Sequence, residues 1–442
     1  MGKWKVEALA ELTGQHPVPA YCPAPPQSLA EMDVSEGLLS DLVLRRLYLQ
    51  GEASLTGLCR SLMLSFPVAR EVFELLRAQQ LVQVKGIDGS DYRFVLTGAG
   101  RALAADRMLV CHYAGPCPVS LKTYQAAVRA QAAKVTLDRE TLRAAFSDLV
   151  LTDGLLDQLG PALVSQGSIF LYGPTGNGKT SLAERFLRVM GDVVAVPHAV
   201  TVDGQIIVVY DPVVHRRAAP DPASDAGTGT GSRDRRWVVC RRPSVVAGGE
   251  LESTMLELQV DEATRIYAAP LQMKANNGIL VIDDFGRQVV SPRYLLNRWI
   301  VPLDRRVDYL SLRYGTKFEI PFEMTVVFAT NLEPSSLADE AFFRRIPNKI
   351  YVEPVSAETF GEIFRRVVRE RDLDCDPDAE TALRDLCVER GSGELRACYP
   401  RDIVNIIAAV SAYERRPPRI DRAALERAAG IYFTRHEDSP QA

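Results

Sequence analysis

The chain has only five histidines in 442 residues, and its eight cysteines are scattered singly. No C-x2-C pair occurs, which removes the common zinc-site spacing. Cys111, His112 and Cys117 come closest to a metal cluster, and they read better as part of a linker. Scattered single cysteines suit a reducing compartment, so a cytoplasmic protein is expected. No run reaches the roughly 20 apolar residues that cross a bilayer. The apolar stretch at 278–282 is only strand-sized, and residues 1–11 lack an apolar core of signal-peptide length. Charge of one sign is missing too: 52 Lys and Arg stand against 56 Asp and Glu, a net charge of -4. No global positive field attracts nucleic acid, so any DNA contact must be local.

What is present is an ordinary folded composition, 47% hydrophobic and 24% charged, over a length that suits two or three domains. Residues 1–33 are rich in Pro and Ala and read as a flexible or extended tail. Residues 34–109 form a compact unit. Leu38, Leu39, Leu42, Val43 and Leu47 trace one amphipathic helix, and Ser54 caps a second. Pro67 opens a third helix, running to Gln79. Strands at 82–84 and 92–96 follow, with Asp88-Gly89 as the turn, and then a helix over 97–107. Three helices and a hairpin resemble the winged helix-turn-helix order. This stretch carries nine Lys and Arg against eight Asp and Glu, and its third helix holds Glu71 and Glu74 beside Arg70 and Arg77. Carboxylates there repel phosphates, which favours a protein contact over DNA.

A linker over 110–135 precedes a helix expected over 137–159 and ended by Gly160-Pro161. Apolar strands at 168–172, 193–196, 279–282 and 325–329 alternate with helices, which implies a parallel α/β sheet. Within it, strands at 205–210 and 237–240 flank a polar, Gly-rich stretch, read as an inserted hairpin over 202–240 with a disordered tip. From residue 356 only helical patterns remain, at 356–371, 377–390, 400–415 and 421–434.

Gly173-Pro174-Thr175-Gly176-Asn177-Gly178-Lys179-Thr180, followed by Ser181, matches G-x-x-x-x-G-K-[ST] in full, with a strand before it and a helix after it. Glycines let the loop turn its N–H groups toward phosphate oxygens. Lys179 is placed for the β and γ phosphates and Thr180 for Mg²⁺. Asp283 and Asp284 end an apolar strand expected beside the loop's own strand. Asp283 suits the metal's shell and Asp284 the attacking water. Asn331 ends another strand, at the edge where open α/β sheets bind ligands.

In this order the motifs resemble the AAA+ ATPases. The likeness spans about residues 136–434, as a nucleotide-binding domain over 136–355 and a helical lid over 356–442. The chain resembles a bacterial group with an N-terminal winged helix, loosely described as ATPases with chaperone activity. The resemblance implies ATP and Mg²⁺ as ligands. It makes Asn331 sensor 1, Arg344 or Arg345 an arginine finger acting on a neighbouring subunit, and Arg401 sensor 2. It implies a homo-oligomeric ring, with a hexamer expected, that hydrolyses ATP to remodel a protein partner. The alternative is a nucleic-acid-binding ATPase of helicase-loader or initiator type that uses the winged helix. Many family members have Asp-Glu where this chain has Asp283-Asp284, and the shorter side chain is expected to change how water is held.

Overall fold

The computed structural model describes residues 19–88, 91–134, 137–218, 233–337, 343–391 and 393–433. The chain divides into two compact units. One holds Met1–Lys134, Met190–Leu280 and Asn297–Thr325; the other holds Val135–Val189, Val281–Leu296 and Val326–Ala442. This division groups residues 190–280 with the N-terminal segments and not with the phosphate-loop strand.

In the first unit, helices Glu36–Gln50, Leu55–Leu62 and Phe66–Ala78 precede strands Val82–Asp88 and Asp91–Leu96 and helix Gly98–Val110. Side-chain oxygens of Ser35, Ser54 and Thr97 accept N–H bonds at three of these helix starts, fixing where each begins. Glu52–Ser54 adds a third strand against Asp91–Leu96. Leu39, Leu58, Val68 and Phe94 are buried together, and Phe73 meets Phe94 at 4.7 Å between ring centroids. The Asp88-Gly89 turn lies partly outside the described residues.

The expected flexible tail needs correction over residues 19–33; residues 1–18 lie outside the described part. Tyr21 packs edge-on against Trp237 at 5.0 Å. Asp234 N–H donates to Pro23 O, Ser65 Oγ to Pro26 O, and Leu29 N–H to Glu71 Oε2. Asp33 pairs with Arg236 at 2.6 Å and accepts from Ser120 N–H. Burial pushes the Asp33 carboxyl up, and the Arg236 guanidinium with these hydrogen bonds holds it below its ordinary range. Proline-rich composition predicts extended backbone, and here tertiary partners fix it.

The inserted hairpin is also corrected. Gln205–Val208 pairs with Ala199–Val202, through a tight turn at Asp203 (φ 47°) and Gly204 (φ 76°). Two positive φ values suit a two-residue hairpin turn. Trp237–Arg241 pairs antiparallel with Val193–Pro197. The strand at 193–196 therefore lies outside the parallel sheet that holds the phosphate loop. Of the loop 218–236, expected to carry a disordered tip, residues 219–232 lie outside the described residues. The stretch expected as a linker contains strand Val119–Ser120, paired with Ala199–Val202, and helix Leu121–Ala130. Cys117 is buried, and burial pushes its thiol up to about 12.

In the second unit the expected helix over 137–159 is two helices, Arg139–Ala145 and Asp153–Ser165. Asp138 and Thr152 each cap one, and Pro161 sits inside the second instead of ending it. Leu156, Leu159, Ala162 and Leu163 keep that helix's buried face continuous through the proline. Strand Ile169–Tyr172 lies between Thr325–Thr330 and Asn348–Tyr351, parallel to both. The Asp283 strand, Ile279–Ile282, neighbours Thr325–Thr330 and not the phosphate-loop strand, which corrects the expected adjacency. The Asn331 strand stands between them. Helices Ala357–Glu370, Ala379–Arg390, Tyr399–Tyr413 and Arg422–Tyr432 close the chain around Phe360, Leu383, Ile403 and Leu425. Among the described residues no helix is long and apolar enough to cross a membrane.

Candidate nucleotide site

Parallel strands bring their C-terminal ends to one edge, so the loop after Ile169–Tyr172, Asp283-Asp284 and Asn331 meet there. They line a cavity of about 700 Å³ with Arg401 and Ser181.

The loop's shape needs glycine. Gly173 has φ 134°, and a Cβ there would strike the Val352 carbonyl oxygen. Gly176 (φ 83°) and Gly178 (φ 84°) are left-handed. Lys179 is buried, and its Nζ donates to Gly173 O and Pro174 O, both at 2.9 Å. Burial holds its ammonium below the usual lysine range, against the raising effect of Asp283 and Asp284.

Thr180 Oγ1 donates to the Asp283 carboxylate, with distances of 2.8 and 3.0 Å to its two oxygens. A hydroxyl and a carboxylate at one point are hard oxygen donors of the kind Mg²⁺ takes alongside phosphate and water. Asp284 follows with φ 49°, exposed at the cavity. Asn331 Nδ2 donates to Thr175 Oγ1 at 3.1 Å, while its buried Oδ1 has no hydrogen-bond partner. A buried, unsatisfied acceptor in the cavity wall is a place where a ligand or water donor fits.

The C-terminal helices reach the loop directly. Cys398 N–H donates to Gly176 O at 3.0 Å, and Ala397 N–H to Asn177 Oδ1 at 3.3 Å. Burial raises the Cys398 thiol above its ordinary range. Arg401, in the first turn of helix Tyr399–Tyr413, is exposed on the cavity wall. A further wall comes from residues 148–155. There Asp148 binds Arg185 and Arg188, at 2.9 and 2.6 Å. Burial pushes the Asp148 carboxyl up, yet the two guanidiniums hold it down at about 2. Arg366 donates to Ser147 O and Leu149 O from the other side.

Arg344 and Arg345 do not line this cavity. Arg344 is exposed, and the Arg345 carbonyl accepts from Ser168 Oγ, just before the phosphate-loop strand. Sequence reasoning missed residues 148–155 and the Ala397-Cys398 contact. Neither has a local signature, because both depend on which segment folds onto the loop.

Residues 356–431 match a family model described as a domain of unknown function, DUF8689. No curated protein matches the chain in sequence. Among solved structures the chain is similar to the RuvB Holliday junction branch migration motor of Thermotoga maritima, at 14% identity and TM-score 0.36; 66% of this chain and 73% of that one are covered. It is also similar to NtrX from Brucella abortus, at 14% identity and TM-score 0.41, over 73% of this chain and 71% of that one. Likenesses this distant carry no chemistry.

Proposed function

We propose that the chain is an ATPase of AAA+ type that binds ATP with Mg²⁺ and hydrolyses it. The observation that carries this reading is the Thr180–Asp283 pair, at 2.8 Å, beside the buried Lys179 in a cavity shared with Asp284 and Asn331. Thr180 and Asp283 would hold Mg²⁺, which neutralises phosphate charge. Residues 173–181 cradle the phosphates, with Pro174 and Thr175 shaping the loop. Lys179 exchanges its two carbonyl partners for phosphate oxygens. Asp284 orients the attacking water, and Asn331, with its free acceptor, positions it. Arg401 contacts the phosphates from the helical lid.

The test is ATP turnover and binding by the purified full chain. Lys179→Ala should lose nucleotide binding, while Asp284→Asn should bind ATP and turn it over at least about tenfold more slowly. Tight ATP binding by Lys179→Ala would falsify the phosphate-loop assignment.

The chain is further proposed to work in the cytoplasm as a homo-oligomeric ring, a hexamer, on a protein partner. Arg344 or Arg345 then serves a neighbouring subunit, in keeping with their absence from this chain's own cavity. Restored turnover on mixing Arg344→Ala/Arg345→Ala subunits with Asp284→Asn subunits would support this; none in demonstrably mixed rings would sink it. A protein partner is favoured over DNA for the winged helix because Pro26 O and Leu29 N–H already engage Ser65 and Glu71, the N-cap and the sixth residue of helix Phe66–Ala78. In helix-turn-helix readers that end of the helix meets the bases. Salt-sensitive duplex DNA binding by the full chain, lost with Arg70→Ala/Arg77→Ala, would reverse the preference.

A further inference from the structure

The turn that carries Asp284 is held by a side chain outside all the motifs above. Asp283 follows strand Ile279–Ile282, Asp284 is left-handed, and Gly286 has φ 105°. Such a turn strips its backbone of sheet partners, so its polar groups need others. Asp284 N–H donates to Asp283 Oδ1 at 3.0 Å, and Arg287 N–H to Asp284 O at 2.9 Å. Phe285 N–H donates to Ala329 O, and Phe285 O accepts from Thr330 Oγ1 at 2.6 Å, which ties the turn to the Asn331 strand. The two other bonds described for the turn's backbone both go to Gln288. Its Nε2 donates to Asp283 O at 2.7 Å, and its Oε1 accepts from Gly286 N–H at 2.8 Å. One carboxamide thus clamps the residues on either side of the Asp284-Phe285 step.

Resting on the ATPase reading, we propose that Gln288 is a positioning residue for hydrolysis. It fixes the Asp283–Asp284 peptide and so the position of the Asp284 carboxylate, while the Asp283 carboxylate keeps its own partner, Thr180 Oγ1. The short Asp284 side chain makes this necessary. It has one rotatable bond fewer than glutamate, so its reach is set by backbone position, and Asp tolerates the left-handed region better than most residues. A carboxylate misplaced by about 1 Å costs a rate factor of about 10². Phosphate binding depends on the separate loop 173–180 and should be spared.

The experiment compares full-length wild type, Gln288→Met and Gln288→Glu at saturating MgATP, with Lys179→Ala as the blank. Met keeps length but makes neither bond; Glu keeps an acceptor for Gly286 N–H and loses the donor to Asp283 O. Turnover number should fall about 10- to 100-fold for Gln288→Met, with KM and the affinity for a fluorescent ATP analogue changed less than about threefold. Hydrogen exchange at residues 284–287 should accelerate, with exchange in the other elements of this unit unchanged. Wild-type turnover with both variants overturns the proposal. So does a loss of turnover matched by an equal loss of ATP affinity, or unchanged exchange at 284–287. A wild type with no Lys179-dependent turnover sinks the ATPase reading itself, and the role of Gln288 with it; only in that case is the blank equal to wild type.

Discussion

Replacing Gly176 with alanine tests how the C-terminal helices sit on the phosphate loop. A Cβ at Gly176 would stand 2.7 Å from Cys398 Sγ and 3.4 Å from Arg396 Cδ. The residue also has φ 83°. Left-handed strain for an alanine is about 1–2 kcal/mol, and overpacking against the sulfur adds about 1–3 kcal/mol. Cys398→Ala removes the sulfur and leaves the backbone strain. The double-mutant cycle should therefore show a coupling of about 1–3 kcal/mol, with Gly176→Ala much milder in the Cys398→Ala background. The two described tryptophans, Trp237 and Trp299, belong to the other unit, so their fluorescence is a poor probe of this contact. Hydrogen exchange is better suited. The Cys398 amide donates to Gly176 O at 3.0 Å, and each 1.4 kcal/mol of local opening changes its exchange about tenfold. Equal costs for Gly176→Ala in both backgrounds would refute the contact.

Two more outcomes follow from the ion pairs. Arg236 is buried with Asp234 and Asp33, so Arg236→Ala leaves carboxylates without their partner. It should cost about 3–5 kcal/mol, and proteolysis should then cut within residues 19–33 before any other described segment. Asp148 is held at about 2 by Arg185 and Arg188, below its ordinary 3.8. Its folded pKa is lowered, so its contribution is present above about pH 4 and is lost as pH falls toward 2. The carboxylate is 40% exposed, so solvent screening leaves about 1 kcal/mol. Acid melts of Asp148→Asn and wild type should converge near pH 2 and differ at pH 7; a constant gap would count against the pairing.

Local chemistry was legible wherever the signal was local. Ser54 marks a helix start as a cap, and Thr97, Ser356 and Asp421 stand where expected helices begin; in the structure all four cap a helix. The four C-terminal helices lie within about two residues of their apolar periodicity. Pairing was not legible. Nothing local in Val193–Pro197 says that it pairs antiparallel with Trp237–Arg241, outside the phosphate-loop sheet. Pro161 looks like a stop and is not one, because a buried face on both sides outweighs one lost backbone bond.

The shape of the loop 173–180 was legible in sequence alone, because Gly173, Gly176 and Gly178 take positive-φ backbone that glycine supplies at little cost. The double-Asp strand end was equally plain. Tertiary structure alone decided that the Asn331 strand stands between the loop and Asp283, that Cys398 backs onto Gly176, and that Gln288 clamps the Asp284 turn. Those facts join residues from 5 to about 220 positions apart, and strand order and helix docking, which no short stretch of chain encodes, bring most of them together.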